Sequence, residues 1–500
     1  MNLPHSISLL NLSMSDDAVT SVSTPTPPKL SLEDSSNAWE THPENPYNWP
    51  QPKKWRIALL VAAVILLVGL NATSITTPSL IIAEHFHVAD TAFPHSFWPV
   101  TAWNTGAAIG PMIGMPVLEN FGIRRGYLIL YLVFTATLIP QALAQNFATL
   151  LVVRAIAGLV GGVLQNALEQ VAPDIWATDK QRNLPITFYT FMYVSGVTLG
   201  PVLGAVVHEL SWRWVFYIQL IIHGAMIPVV LLVMKETRGP IILSRLAKTH
   251  PTLTKAANEL RRPKISTLLY DAIARPAHLL FTEPVVFFLM LWAAFCFGLV
   301  FIMTQSIPQV YHANYGFGDS ASGLVQVSLF IGEAVGFAAC LPQNSYYQRS
   351  AQRNKVEPGI PIPEARLPLS IPASLLGLAG GLFWYAWASF PHVHWMVPTV
   401  GLAFVGFAIM VIITAVDMYI TDAYTKYAGS AIAAVALGEN LFAAWLPLAA
   451  KSMYTTLGFQ WASSLLAFVA VVLTMAPVVL WWKGEVIRGK SRFIREAKGG

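Results

Sequence analysis

The chain repeats one kind of segment twelve times. From Trp55 onward apolar runs recur, each near the roughly 20 residues a helix needs to cross about 30 Å of hydrocarbon. They fall at 57–82, 94–117, 127–145, 148–172, 186–208, 214–234, 284–306, 319–342, 368–389, 395–419, 427–450 and 457–482. Backbone polar groups find no water inside a bilayer, so runs of this kind must be helices. Composition agrees. Charged residues make up 11% of the chain, against about 25% in soluble domains. With only two cysteines, Cys296 and Cys340, a secreted disulfide scaffold is excluded. The reading is an all-α membrane protein with twelve transmembrane helices.

The basic residues test that count. Twelve spans place both termini on one side. If that side is cytosolic, it collects all but three of the 31 lysines and arginines: Arg213 and Lys451 fall opposite, and Arg154 lies within a span. A miscounted span would scramble this positive-inside pattern. The net charge of +5 therefore describes topology, and no nucleic-acid partner is expected.

Domain boundaries follow. Residues 1–50 read as a disordered cytosolic tail, since Ser13 to Asn37 is rich in Ser, Thr, Pro and Asp and lacks apolar periodicity. Leu9 and Leu10 lack the basic lead and apolar run of a signal peptide. Two six-helix bundles are expected at 51–234 and 283–483, joined by a polar cytosolic segment at 235–282 and followed by a cytosolic tail at 484–500. Two sixes around a long loop is the layout of transporters made of two pseudo-symmetric bundles, with the substrate near the midplane between them. No Gly-x-x-x-x-Gly-Lys-Ser/Thr run exists to hold a nucleotide. A gradient must then drive transport. No cofactor is expected, nor a metal, because nothing completes a site around His85 and His87.

Several local sequences resemble the major facilitator superfamily, and within it the fungal twelve-span drug:proton antiporters, a group of multidrug, secondary-metabolite and polyamine exporters. They are Asn45-Pro-Tyr-Asn-Trp-Pro with Lys53-Lys54-Trp55, Arg154-x-x-x-Gly158 in span 4 followed by Asp174-Ile175-Trp176, and Gly196-x-x-x-Gly200-Pro201-x-x-Gly204 in span 5. Glu236-Thr237-Arg238-Gly239-Pro240 and Pro363-Glu364-Ala365-Arg366-Leu367 belong with them. The resemblance implies the major facilitator fold and gives the span 5 glycines and Pro201 a sealing role, in which bent spans 5 and 11 close the two bundles. The alternative is generic close packing of membrane helices. It implies a part for Arg154 in proton coupling or substrate sensing; the alternative is a structural cation held by helix carbonyls. The loop after span 2 departs from the family pattern: Met115, Asn120 and Ile123 stand where glycine, a basic residue and arginine are usual, while Glu119, Gly122 and Arg124 remain. The resemblance makes this loop, with Asp174, a cytosolic latch between the bundles. Fewer charges predict a weaker latch, since an exposed pair contributes about 0–1 kcal/mol.

A charge at membrane depth costs at least about 2.5–3.5 kcal/mol, so ionisable groups there pair or serve function. Glu333 in span 8 and Glu439 in span 11 are mid-span, and with Arg154 they are the proton-coupling candidates. Each glutamate follows a glycine, and a neutral carboxyl packed between helices is the alternative. Glu169, Asp417 and Asp422 lie nearer the cytosolic ends and read as gate or surface charges. Polar and aromatic residues that could line a cavity are Asn104, Gln165, Asn166, Tyr189, Trp292, Asn440 and Trp445; such a lining suits a flat, largely apolar molecule. The resemblance implies proton-driven efflux of an amphipathic organic molecule, a xenobiotic or a secondary metabolite, from a fungal cell. The expected setting is a monomer in the plasma membrane with both termini cytosolic; its partners are substrate, protons and lipid. Proton symport of a nutrient, or a non-transporting sensor on the same fold, remain as alternatives.

Overall fold

A computed structural model describes residues 37–88, 90, 94–207, 210–249, 253–254, 265–354 and 358–498. Among the described residues, ten helical stretches are long and apolar enough to cross a membrane. One of these, Ala428–Lys490, holds two crossings joined through the tight turn Leu446–Ala449. Trp98–Phe121, diluted by glycines and prolines, packs as a further crossing. The twelve are α1 (Gln51–Thr73), α2 (Trp98–Phe121), α3 (Ile123–Ala142), α4 (Phe147–Ile175), α5 (Asp179–Val207) and α6 (Trp214–Val233), then α7 (Pro284–Tyr315), α8 (Val327–Ser350), α9 (Ser370–Ala388), α10 (Met396–Tyr424), α11 (Ala428–Trp445) and α12 (Ala450–Lys490).

The two sixes pack in one pattern. In the first half α1 lies on α5, α2 on α4 and α3 on α4 and α6; in the second α7 lies on α11, α8 on α10 and α9 on α10 and α12. Adding six to each helix of the first set gives the second, which is pseudo-symmetry read directly from contacts. Glycine makes the tightest of these contacts possible. A Cβ on Gly106 or Gly110 of α2 would strike the backbone of Ala155 or Leu159 on α4, and one on Gly158 would strike that of Trp103. The counterpart seam repeats this: Gly332 of α8 abuts Ala403 and Phe407 of α10, and Gly406 of α10 abuts Leu329. Between the halves the main crossings are α2 with α11 and α5 with α8, again a symmetry-related pair.

Some boundaries shift from those predicted. The first span ends at Thr73, not residue 82, because Pro78 interrupts it and Ser79–His85 forms a separate short helix. Ala450–Lys490 extends the last span in both directions, with breaks at Gly458 and Lys483. The disorder expected for residues 1–36 falls outside the described residues. Residues 37–50, expected in the same tail, are instead folded against the first half: Trp49 is buried and the Lys53 ammonium sits 3.6 Å over its ring. The central segment also has structure of its own, in Gly239–Leu246 and Ile265–Thr282.

The glycine seams give a direct prediction. Gly158→Ala and Gly406→Ala each force a methyl into a facing backbone and should destabilise the protein by about 1–3 kcal/mol. Gly429→Ala, where nothing lies within 4 Å, should leave the melting temperature of the detergent-solubilised protein unchanged. Equal melting of all three would refute backbone contact at these seams.

Candidate functional site

An enclosed cavity lies where the halves meet. Asn166 of α4 with Tyr189 and Tyr193 of α5 line one wall; Ile413 and Asp417 of α10 and Glu439 of α11 line the other, closed by apolar side chains of α11. The free space between these walls is about 10 Å3, room for about one water and far below the roughly 300–1,000 Å3 of small-molecule pockets, so the walls are closed on each other. Tyr189 and Tyr193, one turn apart on α5, stack with centroids 6.0 Å apart, and Tyr193 stacks on Phe297 at 5.0 Å with the rings 5° from parallel. The Thr190 hydroxyl donates to Asp417 across the seam at 3.4 Å. The Asn166 amide donates to the Gly162 carbonyl of its own helix at 2.8 Å.

Asp417 is the residue that sequence reading misplaced. It is not at the surface: α10 continues to Tyr424, so Asp417 sits two turns inside the helix and shares a lining with Glu439. Asp422, read the same way, is likewise internal and pairs with a buried arginine. The side chain of Glu169 lies outside the described residues.

Of the predicted cavity residues, Asn166 and Tyr189 line this space and five do not. Trp292 is fully buried inside the second half, where its indole N–H donates to Ser374 Oγ at 3.2 Å. Trp445 is 58% exposed at the end of α11. Asn440 turns its amide to the Ala436 carbonyl, and Asn104 turns its amide to Val100. Gln165 is buried away from the cavity with its Nε2 unpartnered. In helices apolar on every side, no periodicity marks which face turns inward.

Glu333 occupies a different place from Glu439. It is fully buried on α8 and accepts hydrogen bonds from Ser195 Oγ (3.0 Å) and Thr198 Oγ1 of α5. These hydroxyls lie six and nine residues beyond Tyr189 on the same helix, about 9–14 Å further along at 1.5 Å per residue. Glu333 therefore joins the halves above the cavity, on the side away from the termini. The glycines of the span 5 motif turn elsewhere. Gly196, Gly200 and Gly204 meet Leu66, Thr73 and Ser74 of the α1 region, inside the first half. Spans 5 and 11 both lie on the seam between the halves, span 5 against span 8 and span 11 against span 2.

Arg154 is fully buried and its partners are acceptors of the first half: Asn71 O and Ala72 O, both at 2.7 Å, Pro99 O at 3.1 Å and Asn71 Oδ1 at 3.2 Å. Asn71 extends the network, accepting from Trp103 Nε1 and donating to Gln219. Helix α1 ends at Thr73, so two carbonyls of its last turn have no helical partner. The guanidinium supplies one. This is the carbonyl-held arrangement, and among the described residues no carboxylate bonds the guanidinium. Asn71 and Gln219 were missed because an isolated amide in an apolar run carries no signal without its partner.

The comparisons with known proteins agree with this architecture. The model of the Major Facilitator Superfamily matches residues 59–445. The chain belongs to the major facilitator superfamily. The "MFS transporter cpaT" of Aspergillus oryzae is 32% identical over 468 residues, 91% of each chain. The "Efflux pump radE" of Floropilus chiversii is 32% identical over 465 residues, 90% of this chain and 84% of that one. The multidrug transporter FLU1 of Candida albicans is 29% identical over 466 residues, 90% and 74% of the two chains. Among solved structures, the xylose transporter XylE from E. coli superposes with a TM-score of 0.61 at 16% identity, covering 86% of this chain and 98% of that one. The human organic anion transporter MFSD10 gives 0.60 at 16% identity, over 86% and 100%. The protein is a membrane transporter and not an enzyme.

In this facilitator the charged groups on the terminal side divide differently from expectation. Arg238 pairs with Glu119 and Asp174, each at 2.9 Å. The Glu236 carboxylate accepts the backbone N–H groups of Ile123 and Arg124, beside Gly122 at φ 102° where a Cβ would strike it. Burial lowers the Arg238 pKa, but Asp174 and Glu119 more than offset this and hold the guanidinium charged. All these groups belong to the first half and its exit. The predicted latch thus ties one bundle to itself, and among the described residues the Arg124 side chain makes no ion pair in it. The contact that does cross is Arg366, buried over the Tyr347 ring at 3.4 Å, which donates to Asp422 (2.8 Å), Asn344 (2.8 Å) and Asn183 of α5 (3.0 Å). On the opposite side Lys451 of α12 reaches Asp90 at 3.0 Å, and Thr101 of α2 donates to the Ala444 carbonyl of α11 at 2.9 Å. Both ends of the seam are bridged, so the arrangement is occluded.

The ion pairs at the two ends of the seam should behave unequally. Arg366→Met strands Asp422 in the interior and should cost about 3–5 kcal/mol. Lys451→Met breaks a half-exposed pair worth about 0–1 kcal/mol. Detergent-phase melting of the two variants checks the contrast. Burial pushes the Asp90 carboxyl up, but hydrogen bonds from Ser96 and Lys451 bring it below its usual 3.8. The outer pair is therefore intact above that value and lost only as the pH falls through the lower folded one. Acidification from pH 7 to 5 should leave the Asp90–Lys451 contact unchanged, as read by a fluorescent label beside Lys451.

Proposed function

We propose that this facilitator exports an amphipathic organic molecule from the cytosol in exchange for protons, by alternating closure of its two halves around the cavity of Asn166, Tyr189, Asp417 and Glu439. The observation that carries the reading is the pair of carboxylates in an enclosed space lined from both halves. Charges shut away from water need compensation, because desolvation costs several kcal/mol per ion. A proton supplies it when the cavity is empty, and substrate supplies it or displaces the proton when the cavity is filled. Each ligand then favours one orientation to the extent that it binds the two orientations unequally.

Glu333 has a second part in this scheme. Opening the side away from the termini separates α5 from α8, and with them Ser195 and Thr198 from Glu333. Arg154 takes a positioning role, holding the end of α1, rather than a proton-carrying one. The terminal side is cytosolic in this reading, supported by the crowding of lysines and arginines there. The plasma membrane fits an exporter. The names of the relatives from Floropilus chiversii and Candida albicans, an efflux pump and a multidrug transporter, support the direction.

The test uses proteoliposomes with an imposed pH gradient and a pH dye inside, challenged with amphipathic organic compounds. Export predicts proton flux opposite to the compound. Flux in the same direction would replace the reading with symport. Asp417→Asn and Glu439→Gln should each reduce compound-driven proton flux at least about tenfold, about 1.4 kcal/mol, with melting unchanged. Arg154→Lys cannot reproduce the planar fork that reaches Asn71, Ala72 and Pro99; it should lower the melting temperature and leave the pH profile of residual transport in place.

A further inference from the structure

We propose that the first turns of span 8, Asp319–Gln326, form an outer lid that hinges away from span 5 without any rocking of the two halves. This goes beyond the export reading: it concerns how the side away from the termini opens, and it holds whichever way the substrate moves. Three observations converge. The first is a hinge at each end. Asp319–Val325 and α8 are separate helices, and at Gln326 between them the backbone N–H turns to the Gly323 carbonyl at 3.2 Å, a tighter turn than the α-helical one. At the other end α7 stops at Gly316, whose φ of 67° is left-handed, and Gly318 follows two residues on. Nothing lies within 4 Å of the place a Cβ would take on either glycine. Glycine turns about its backbone at little steric cost, and no packing restrains these two where a side chain would stand.

The second observation is the seat. The short helix packs on α5 across the seam and on α7 of its own half. At Gly323 the fit to α5 is tight: a Cβ there would fall 2.7 Å from the Ala205 Cβ and 3.1 Å from the Pro201 carbonyl oxygen. That oxygen already accepts from the Thr77 hydroxyl at 2.8 Å, and glycine brings no side-chain donor to it. The lid closes because position 323 has no side chain. The third observation is what closure leaves unmet. Ser322 and Gln326, one turn apart, are 1% and 0% exposed. Among the described residues the Ser322 hydroxyl and both amide atoms of Gln326 have no hydrogen-bond partner. Buried polar groups are nearly always paired, and leaving them unpaired disfavours the state that buries them. Swinging the lid outward gives all three atoms to water. Glu333 differs: seven residues past Gln326, about 10 Å deeper along the helix, it is bonded to Ser195 and Thr198 of α5. The seam is therefore held at Glu333 and loose at the lid, so the lid opens first and leaves Glu333 seated.

The test is double electron–electron resonance on the detergent-solubilised full chain, with spin labels in two separate pairs. Ala321→Cys with Val206→Cys spans the lid and the outer end of α5. Trp98→Cys with Trp445→Cys spans the two halves at the outer ends of α2 and α11. All four positions are exposed, and the native Cys296 and Cys340 are buried. Gly323→Val should lengthen the lid pair by about 5 Å, one helical turn, and leave the second pair unchanged. Gln326→Leu, apolar and of similar size, removes the unpaired amide from the closed lid; it should lower the fraction of long lid distances at least about fivefold from wild type. A lid pair that keeps its wild-type distance in Gly323→Val overturns the inference. So does a lengthening of both pairs together, which is ordinary rocking, or a long-distance fraction unchanged in Gln326→Leu. Where valine prevents folding, Gly323→Ala, whose methyl already meets Ala205, decides in its place. Export is read by flux and the lid by distance, so the failure of either leaves the other standing.

Discussion

Each half of this transporter is made rigid by helix backbones in direct contact, and the rest of the structure depends on that. Where α2 meets α4 and α8 meets α10, the glycines at 106, 110, 158, 332 and 406 leave no room for a side chain between the helices. Lipid tails are as apolar as leucine, so burial from lipid gives little drive to pair; close packing must supply it. Contacts of this kind cannot slide or open by degrees. They make each half a tightly packed body. The seam between the bodies is of another kind, a set of side-chain hydrogen bonds and one half-exposed ion pair, each breakable for a small cost.

That division explains where polar groups stand. Arg154 ties together three helices of one half and never meets the other. Arg238 does the same with Glu119 and Asp174 on the terminal side. By contrast Glu333, Asp417 and Arg366 of the second half all reach across to α5. Charges confined to one half maintain its shape. Charges that cross are the ones whose environment must change when the halves rock, and they are where coupling to a proton or to a substrate can act.

The number of helices was legible in the sequence because hydropathy and the sidedness of lysine and arginine answer to the bilayer, a constraint that acts on every residue of a span. The candidate site was legible only in part. Glu333 and Glu439 stood out because a carboxylate mid-span is costly. Asp417 did not, because its depth depended on where the tenth helix stops: a predicted end at residue 419 puts it at the surface, and the actual end at Tyr424 puts it inside. The tryptophans failed for a different reason. Trp292 and Trp445 are equally apolar, and whether such a ring faces its own bundle, the cavity or lipid is decided by rotation of the helix, which uniformly apolar sequence does not record. The carbonyls that hold Arg154 were out of reach for the same reason, since a backbone acceptor has no sequence identity.

Helix α5 brings these threads together. It meets the second half at three depths: Asn183 with Arg366, Thr190 with Asp417, and Ser195 with Thr198 at Glu333. Residues 183 and 198 are about 22 Å apart along a helix of 1.5 Å rise. A rigid rotation about the middle cannot keep both end contacts. Opening the terminal side parts Asn183 from Arg366 and leaves Glu333 seated; opening the other side does the reverse. In each case water enters and replaces what is lost, so the net change is near the 0.5–1.5 kcal/mol of about one hydrogen bond. Neither orientation is then locked by the seam itself. On the export reading proposed above, the balance would be left to the middle contact, where Thr190 and Asp417 border the cavity, and whatever neutralises the carboxylates there would decide which end opens.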